Sequence, residues 1–257
     1  MSSPRLIAFD LDDTLAPSKV AIDPRIGAQL IALAEHIEVA IISGGQLGQF
    51  QTQVVDRLPA ADASVLDHIH LLPTCGTQYY RIEADGLRTV YAHALADDQK
   101  QRAMAAVESE ARRLGLWSER TWGPAVEDRR SQITFSALGQ QAPLAEKAAW
   151  DPTGAKKNAL REAVQAVLPD LEVRSGGSTS VDITHRGIDK AYGMNQLSEQ
   201  TGIPLGDMLF VGDRLDPDGN DYPVLAMGVA CQAVDGWHAT ADFLDRLLPT
   251  LPARVRS

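Results

Sequence analysis

The sequence predicts an α/β protein with a doubly wound, Rossmann-like parallel-sheet core and an inserted α+β domain. Three observations predict it. Short, continuous apolar runs alternate with helical stretches in the first eighty residues and again after residue 187. Such runs stop abruptly at acids or at a Ser-Gly turn, as buried parallel strands do where they leave the sheet. Between the two α/β sections the pattern changes to hairpins mixed with helices, which implies a core of residues 1–84 and 187–257 and an insert over 85–186.

The elements follow in order. "LIAF" (6–9) reads as a buried strand, bounded by turn formers. "AIDPRIGAQLIALAEHI" gives a helix with Asp23 as N-cap, Pro24 in its first turn and an apolar face of Ile26, Leu30, Leu33, Ala34 and Ile37. "VAII" (39–42) is a second strand ended by Ser43-Gly44-Gly45, a helix is expected over Leu47–Leu58, and "HIHLLPT" opens a third strand. "TQYYRIEADGLRTVYAHAL" reads as a hairpin turning at Asp85-Gly86, followed by a helix over about 97–114. In the insert, "AVEDRRSQITFSAL" predicts two short strands around a polar turn. "PTGAKKNALREAVQAVLPDLEV" predicts a helix and a strand, and "STSVDITHRG" a further strand. The core resumes with a helix in "DKAYGMNQLSEQTGI", a strand in "DMLFVGD" and one more strand in "VLAMGVA".

Ligands of open parallel sheets bind at the carboxyl ends of the strands. Four groups fall there or at the adjoining helix start: Asp10 with Asp12 and Asp13, Ser43, Lys190, and Asp213 with Asp221. Three acids in four positions repel one another and raise one another's pKa unless a cation compensates them. The pattern therefore points to phosphoryl transfer assisted by a hard divalent cation, Mg²⁺, bound by Asp10, Asp213 and a backbone carbonyl near Asp12. In that scheme Asp10 is the nucleophile and Asp12 the general acid and base. Ser43 and neighbouring N–H groups of the Gly44 turn hold phosphate oxygens, and Lys190 supplies positive charge. Singly, each residue has a plain structural alternative: a cap, a turn or a solvated lysine. Their order and placement along the chain favour a site.

The composition agrees with this chemistry. Of 257 residues 44% are hydrophobic and 23% charged, and acids outnumber Lys and Arg by ten. That balance argues against nucleic acid or an anionic membrane as the main partner and leaves a small phosphorylated substrate open. Cys75 and Cys231 are far apart and in no metal spacing, "MSSPRLIAFDLDD" lacks a signal pattern, and no run reaches membrane-spanning length. A cytoplasmic location is expected.

"FDLDDTL", the Ser43 turn, Lys190 and "FVGDRLDPDGND" resemble the four motifs of the haloacid dehalogenase (HAD) superfamily of phosphotransferases. The position of the insert resembles its type II cap subclass. Within that subclass "RSGGSTSVDITHRGIDK" and the Pro-x-Gly-Asn-Asp metal loop are most similar to the eukaryotic-type phosphomannomutases. The resemblance implies Asp10 as nucleophile, Asp12 as acid and base, and Asp213 and Asp221 near the metal. It implies Ser180 and Asp182 as contacts to sugar hydroxyls and Arg129 as a substrate grip. Where the family carries further arginines this chain has Lys19, Gln140 and Lys147. A mutase holds the distal phosphate of a bisphosphorylated sugar, a task suited to bidentate guanidinium groups and less to Lys or Gln. The sequence therefore leans to a Mg²⁺-dependent phosphatase acting on a sugar phosphate through an aspartyl-phosphate, with a phosphomannomutase-like mutase as the alternative. A non-catalytic sugar-phosphate sensor is disfavoured because no catalytic carboxylate is missing. The related mutases pair through their caps, so a homodimer is among the expectations. The role of Asp13, where the family more often has glycine, is open.

Overall fold

The structure is a computed structural model describing residues 3–252. In chain order the first elements are β1 (Leu6–Phe9), α1 (Pro24–Ala34), β2 (Glu38–Ile42), α2 (Leu47–Gln53), α3 (Ala63–Leu66), β3 (Ile69–Leu72), β4 (Gln78–Glu83) and β5 (Gly86–Ala92). There follow α4 (Asp97–Arg113), β6 (Val126–Asp128), β7 (Gln132–Ser136), α5 (Leu144–Trp150), α6 (Ala155–Val167), β8 (Leu171–Ser175) and β9 (Ser180–His185). The chain closes with α7 (Lys190–Thr201), β10 (Met208–Gly212), α8 (Tyr222–Ala226), β11 (Ala230–Ala233) and α9 (Trp237–Leu247). No described helix is long and apolar enough to cross a membrane.

The chain divides into two units, one running to Ala92 and resuming at Asp189, the other covering His93–Ile188. The expected insert, 85–186, would have cut the first hairpin at its turn. Instead β5 pairs along the length of β4, and both strands extend the core sheet, so the division falls after Ala92.

The first unit is built on a seven-stranded sheet of order β11-β10-β1-β2-β3-β4-β5. The five strands β11, β10, β1, β2 and β3 run parallel, and β4 and β5 add an antiparallel edge. The parallel strands are apolar without alternation because both faces are covered. Ile7 and Phe9 of β1 pack with Ile26, Leu30 and Phe50 in one cluster, which also takes in Leu244. Leu6 and Ala8 point the other way, into a cluster with Met194, Leu197 and Val224. Asp23 caps α1 by accepting from the Arg25 N–H at 2.9 Å, and every predicted residue of its apolar face is buried.

Some expectations fail locally. The helix expected to reach Leu58 ends at Gln53, where Val54 leaves helical geometry at φ −117°, and a 3₁₀ turn takes over. "VLAMGVA" is not a strand. Pro223 sits in the first turn of α8, which takes Val224–Ala226, and the strand begins only at Ala230. A short apolar run is compatible with either element, and the proline decided it.

The second unit carries an antiparallel four-stranded sheet, β6-β7-β9-β8. On one face Ile133, Phe135, Val181 and Ile183 pack against Val107 of α4 and Val164 of α6. The other residues of the same strands are polar: Thr134 stands opposite Asp182, and Ser136 opposite Ser180.

A buried polar network spans β2, β3 and β4 in the first unit. The His70 ring places Nε2 2.9 Å from Glu38 and Nδ1 2.6 Å from the Tyr79 hydroxyl, a pair of contacts that the neutral ring protonated at Nε2 satisfies by donating to Glu38 and accepting from Tyr79. Burial lowers the pKa of His70, and Glu38 opposes that only in part. The unfolded chain therefore binds the proton more tightly, so this group's contribution to stability is whole above its ordinary pKa of 6.5 and declines as pH falls below it. Urea midpoints measured at pH 7.5 and 5.5 should drop with acidity, and His70→Gln should flatten that difference. An equal drop in both proteins would exclude His70 as its source.

Candidate active site

The segment after β1 folds back on its own carboxylates. Asp12 Oδ1 accepts from the Lys19 N–H at 2.8 Å and Asp13 Oδ1 from the Ser18 N–H at 3.2 Å. Asp13 has φ 61°, a left-handed geometry that Asp tolerates better than most residues, so it is the turn residue of this loop. Thr14 is fully buried and gives its hydroxyl to Asp213 Oδ1 at 3.3 Å. The segment holds Asp10 at the end of β1, 3% exposed, beside the end of β10.

Asp213 follows β10, and the loop after it returns to bring Asp221 back. The Asp221 N–H donates to the Arg214 carbonyl (3.1 Å), and Asp221 Oδ2 accepts from the Arg214 N–H (3.0 Å). Gly212 makes that return feasible, since a Cβ there would overlap the Asp221 carboxylate. Gly212→Ala is expected to cost about 1–3 kcal/mol by overpacking, read as a lower urea midpoint at unchanged slope. No loss would mean that Asp221 has room to move.

Lys190 opens α7 and is 1% exposed. The first turns of α7 approach the loop after β3 backbone to backbone: a Cβ on Gly76 would meet the Gly193 Cα, and one on Gly193 the Cys75 carbonyl. Cys75 in turn donates its N–H to the Ser43 carbonyl at 2.9 Å, which ties α7 to the end of β2. So fixed, the Lys190 Nζ lies 2.6 Å from Asp10 Oδ1 and 2.5 Å from Asp221 Oδ1.

The structure thus brings together Asp10, Lys190, Asp213 and Asp221. One carboxylate oxygen from each of the three acids lies within 4.8 Å of the others. Burial pushes the Asp10 carboxyl up to about 8, against the pull of Lys190 and with the push of Asp221. Burial also raises Asp213, with Asp221 adding to it. For Lys190 burial disfavours the ammonium, but Asp10 and Asp221 outweigh it and keep the side chain charged. Three acids against one ammonium leave an excess of negative charge, and the donors are hard oxygens. That set fits a divalent cation.

Ser43 is 4% exposed at the end of β2, and its Oγ accepts from the Gly45 N–H at 3.1 Å. That N–H is therefore directed at the serine, while the hydroxyl proton of Ser43 can be donated outward. Asp12 is half-buried and bonded to Gln49, which donates from Nε2 to both carboxylate oxygens at 3.2 and 3.0 Å. Nothing in the sequence pointed to Gln49, one of several glutamines in that helix. Lys19 is exposed, and its backbone N–H is what reaches Asp12. A cavity of about 530 Å³ opens beside Asp213, lined also by Asp13, Asp235, Trp237 and His238. No Lys or Arg lines it.

The remaining residues belong to the second unit. The Arg129 side chain is 9% exposed and ion-paired with Glu127 at 2.8 Å, which is not the environment of a surface arginine. Asp182 Oδ1 accepts from Thr134 Oγ1 at 2.7 Å, and the Ser180 and Ser136 hydroxyls are 2.8 Å apart. Gln140 donates to Ser136 Oγ at 2.6 Å, and Lys147 Nζ to the Gln140 carbonyl at 2.9 Å.

Known proteins resemble this chain in sequence and in fold. The family model of eukaryotic phosphomannomutase matches residues 26–247. Phosphomannomutase 1 of Mus musculus is 25% identical over 227 residues, covering 86% of this chain and 83% of its own. The phosphomannomutase of Saccharomyces cerevisiae is 24% identical over 226 residues, 85% of this chain and 84% of its own. Among solved structures, a haloacid dehalogenase-like hydrolase from Bacteroides thetaiotaomicron superposes with TM-score 0.64 at 16% identity, over 95% of this chain and all of the other. Plasmodium falciparum IMP-nucleotidase reaches TM-score 0.69 at 14% identity, over 97% of this chain and 69% of its own. These two likenesses concern the fold.

Proposed function

The chain belongs to the eukaryotic phosphomannomutase family, enzymes of the HAD phosphotransferase class, and from that premise we propose that it interconverts hexose phosphates of the mannose 1-phosphate and 6-phosphate kind. The substrate is a small phosphorylated compound. The observation that carries the proposal is the meeting of Asp10, Asp213, Asp221 and the Lys190 ammonium at the strand ends of the first unit. The family match and the curated relatives support the mutase better than the hydrolase to which the sequence alone leans.

In this reading the Asp10 carboxylate attacks phosphorus, a new O–P bond forms and the bond to the leaving oxygen breaks. Asp12 gives that oxygen its proton and later takes one from the incoming hydroxyl. Lys190 balances charge on the phosphoryl group, and Ser43 donates its hydroxyl to a phosphate oxygen. Asp10, Asp213 and Asp221, with the carbonyl of Asp12, would hold Mg²⁺, whose charge draws the phosphate and offsets the acids. Arg129, Lys147, Ser180 and Asp182 would recognise the sugar and its other phosphate. A cytoplasmic setting belongs to the same proposal.

One observation favours hydrolysis as a second reading. Gln140 and Lys147 hydrogen-bond to Ser136 and to the Gln140 carbonyl, and neither offers the planar fork that grips a distal phosphate. A panel of phosphorylated metabolites separates the two. Mannose 1-phosphate should isomerise to the 6-phosphate faster than inorganic phosphate appears, and a hexose bisphosphate should accelerate it. Phosphate release without isomerisation would establish the second reading. Chelation should abolish either activity and Mg²⁺ restore it; full turnover in excess EDTA would end the metal scheme.

A further inference from the structure

We propose that Gln49 is the positioning residue for Asp12, an inference that rests on the proton-transfer role given to Asp12 above. Gln49 lies in α2, directly after the Ser43 turn. Its carboxamide nitrogen stands 3.0 Å from Asp12 Oδ2 and 3.2 Å from Oδ1, so one side chain spans both oxygens and fixes the plane of the carboxyl group. The space for it is provided by Gly45: a Cβ there would overlap the Gln49 carboxamide. Three features of the fold therefore converge on Asp12: the Lys19 N–H, the Gln49 amide and a glycine that clears the way for the amide.

The choice of a carboxamide has a chemical consequence. It offers N–H donors and does not exchange a proton in the neutral range, so it orients a proton carrier without competing for the proton. The two oxygens are also unequal. Oδ1 accepts from both the Lys19 N–H and Gln49, whereas among the described residues Oδ2 accepts from Gln49 alone. Each carboxylate oxygen has two lone pairs, so Oδ2 is the oxygen with acceptor capacity to spare. Misplacing such a group slows only those steps in which a proton must move with the breaking bond.

The test uses two aryl phosphates with the Mg²⁺-loaded full-length protein. Nitrophenolate leaves without a proton, and phenolate is a much poorer leaving group. The first-turnover release of phenol from phenyl phosphate should fall roughly 10- to 100-fold in Gln49→Leu. Release of nitrophenol from p-nitrophenyl phosphate should stay within about threefold. Retained nitrophenol release in Gln49→Leu would show that the variant is folded, so that the loss on phenyl phosphate is not one of folding. Asp12→Asn should show the same dependence on leaving group, more steeply. Equal loss on both esters in Gln49→Leu, or no loss on either, would overturn the inference while Asp12→Asn retains its dependence. If Asp12→Asn shows no such dependence, the reading of Asp12 itself fails.

Discussion

Asp10→Asn should abolish phosphoryl transfer, by about 10⁴-fold or more, and leave a folded protein that still binds inorganic phosphate. An amide has no anionic oxygen to attack phosphorus, and one of the three oxygens offered to a cation is replaced by a weaker donor. Stability should change little. Burial already pushes the Asp10 carboxyl up to about 8, toward its neutral form, so a neutral group of the same shape suits the site. Lys190 keeps its second partner, Asp221, at 2.5 Å. Two measurements decide it: turnover on the substrate found by the metabolite panel, and calorimetric titration with phosphate in the presence of Mg²⁺. Turnover within tenfold of the parent would remove Asp10 as nucleophile, whatever the pocket binds. A sensor built on this scaffold would show no effect in either assay.

Much of this site can be read in the chain because it lies where strands end. A buried parallel strand is a run of apolar residues, and the change to acid at Asp10 and Asp213 marks both the strand end and the ligand side of the sheet. Lys190 was legible by its place at a helix start, although only the fold makes it the partner of Asp10 and Asp221. What stayed hidden depends on packing between segments remote in sequence. Gln49 reaches Asp12 because α2 begins beside the loop that follows β1, and no local pattern encodes that. Gly212 looks like any strand-ending glycine until Asp221 is seen against it. The helices α5 and α9 were not anticipated. α5 is a short segment whose Leu144 is 63% exposed and whose buried residue is Lys147. A boundary at the hairpin turn falls eight residues before the division after Ala92, because a hairpin's membership of a sheet is decided by its neighbours.

Lys190→Met should be the most destabilising single change in the site. In the parent the ammonium sits 2.6 Å from Asp10 and 2.5 Å from Asp221, with all three groups at most 5% exposed. Methionine fills much of the volume but leaves buried carboxylates without a counter-charge. Removing one partner of a buried ion pair costs about 3–5 kcal/mol, and in a chain of this size each kcal/mol lowers the melting temperature by about 2–4 °C. The deficit should depend on pH with a defined sign. Folded Asp10 holds its proton more tightly than the unfolded chain does, and losing Lys190 removes the charge that opposes this, so the variant loses stability as pH rises above the ordinary Asp value of 3.8. Below that value Asp10 is protonated in both states, and the gap to the parent should narrow. Mg²⁺ gives the experiment its second arm. If Asp10, Asp213 and Asp221 share a cation, millimolar Mg²⁺ should raise the melting temperature of the variant more than that of the parent, because the ion supplies the charge that the lysine no longer does. A variant as stable as the parent at neutral pH, and indifferent to the metal, would mean that these carboxylates do not oppose one another. Phosphoryl transfer on Asp10 would then have lost its electrostatic basis.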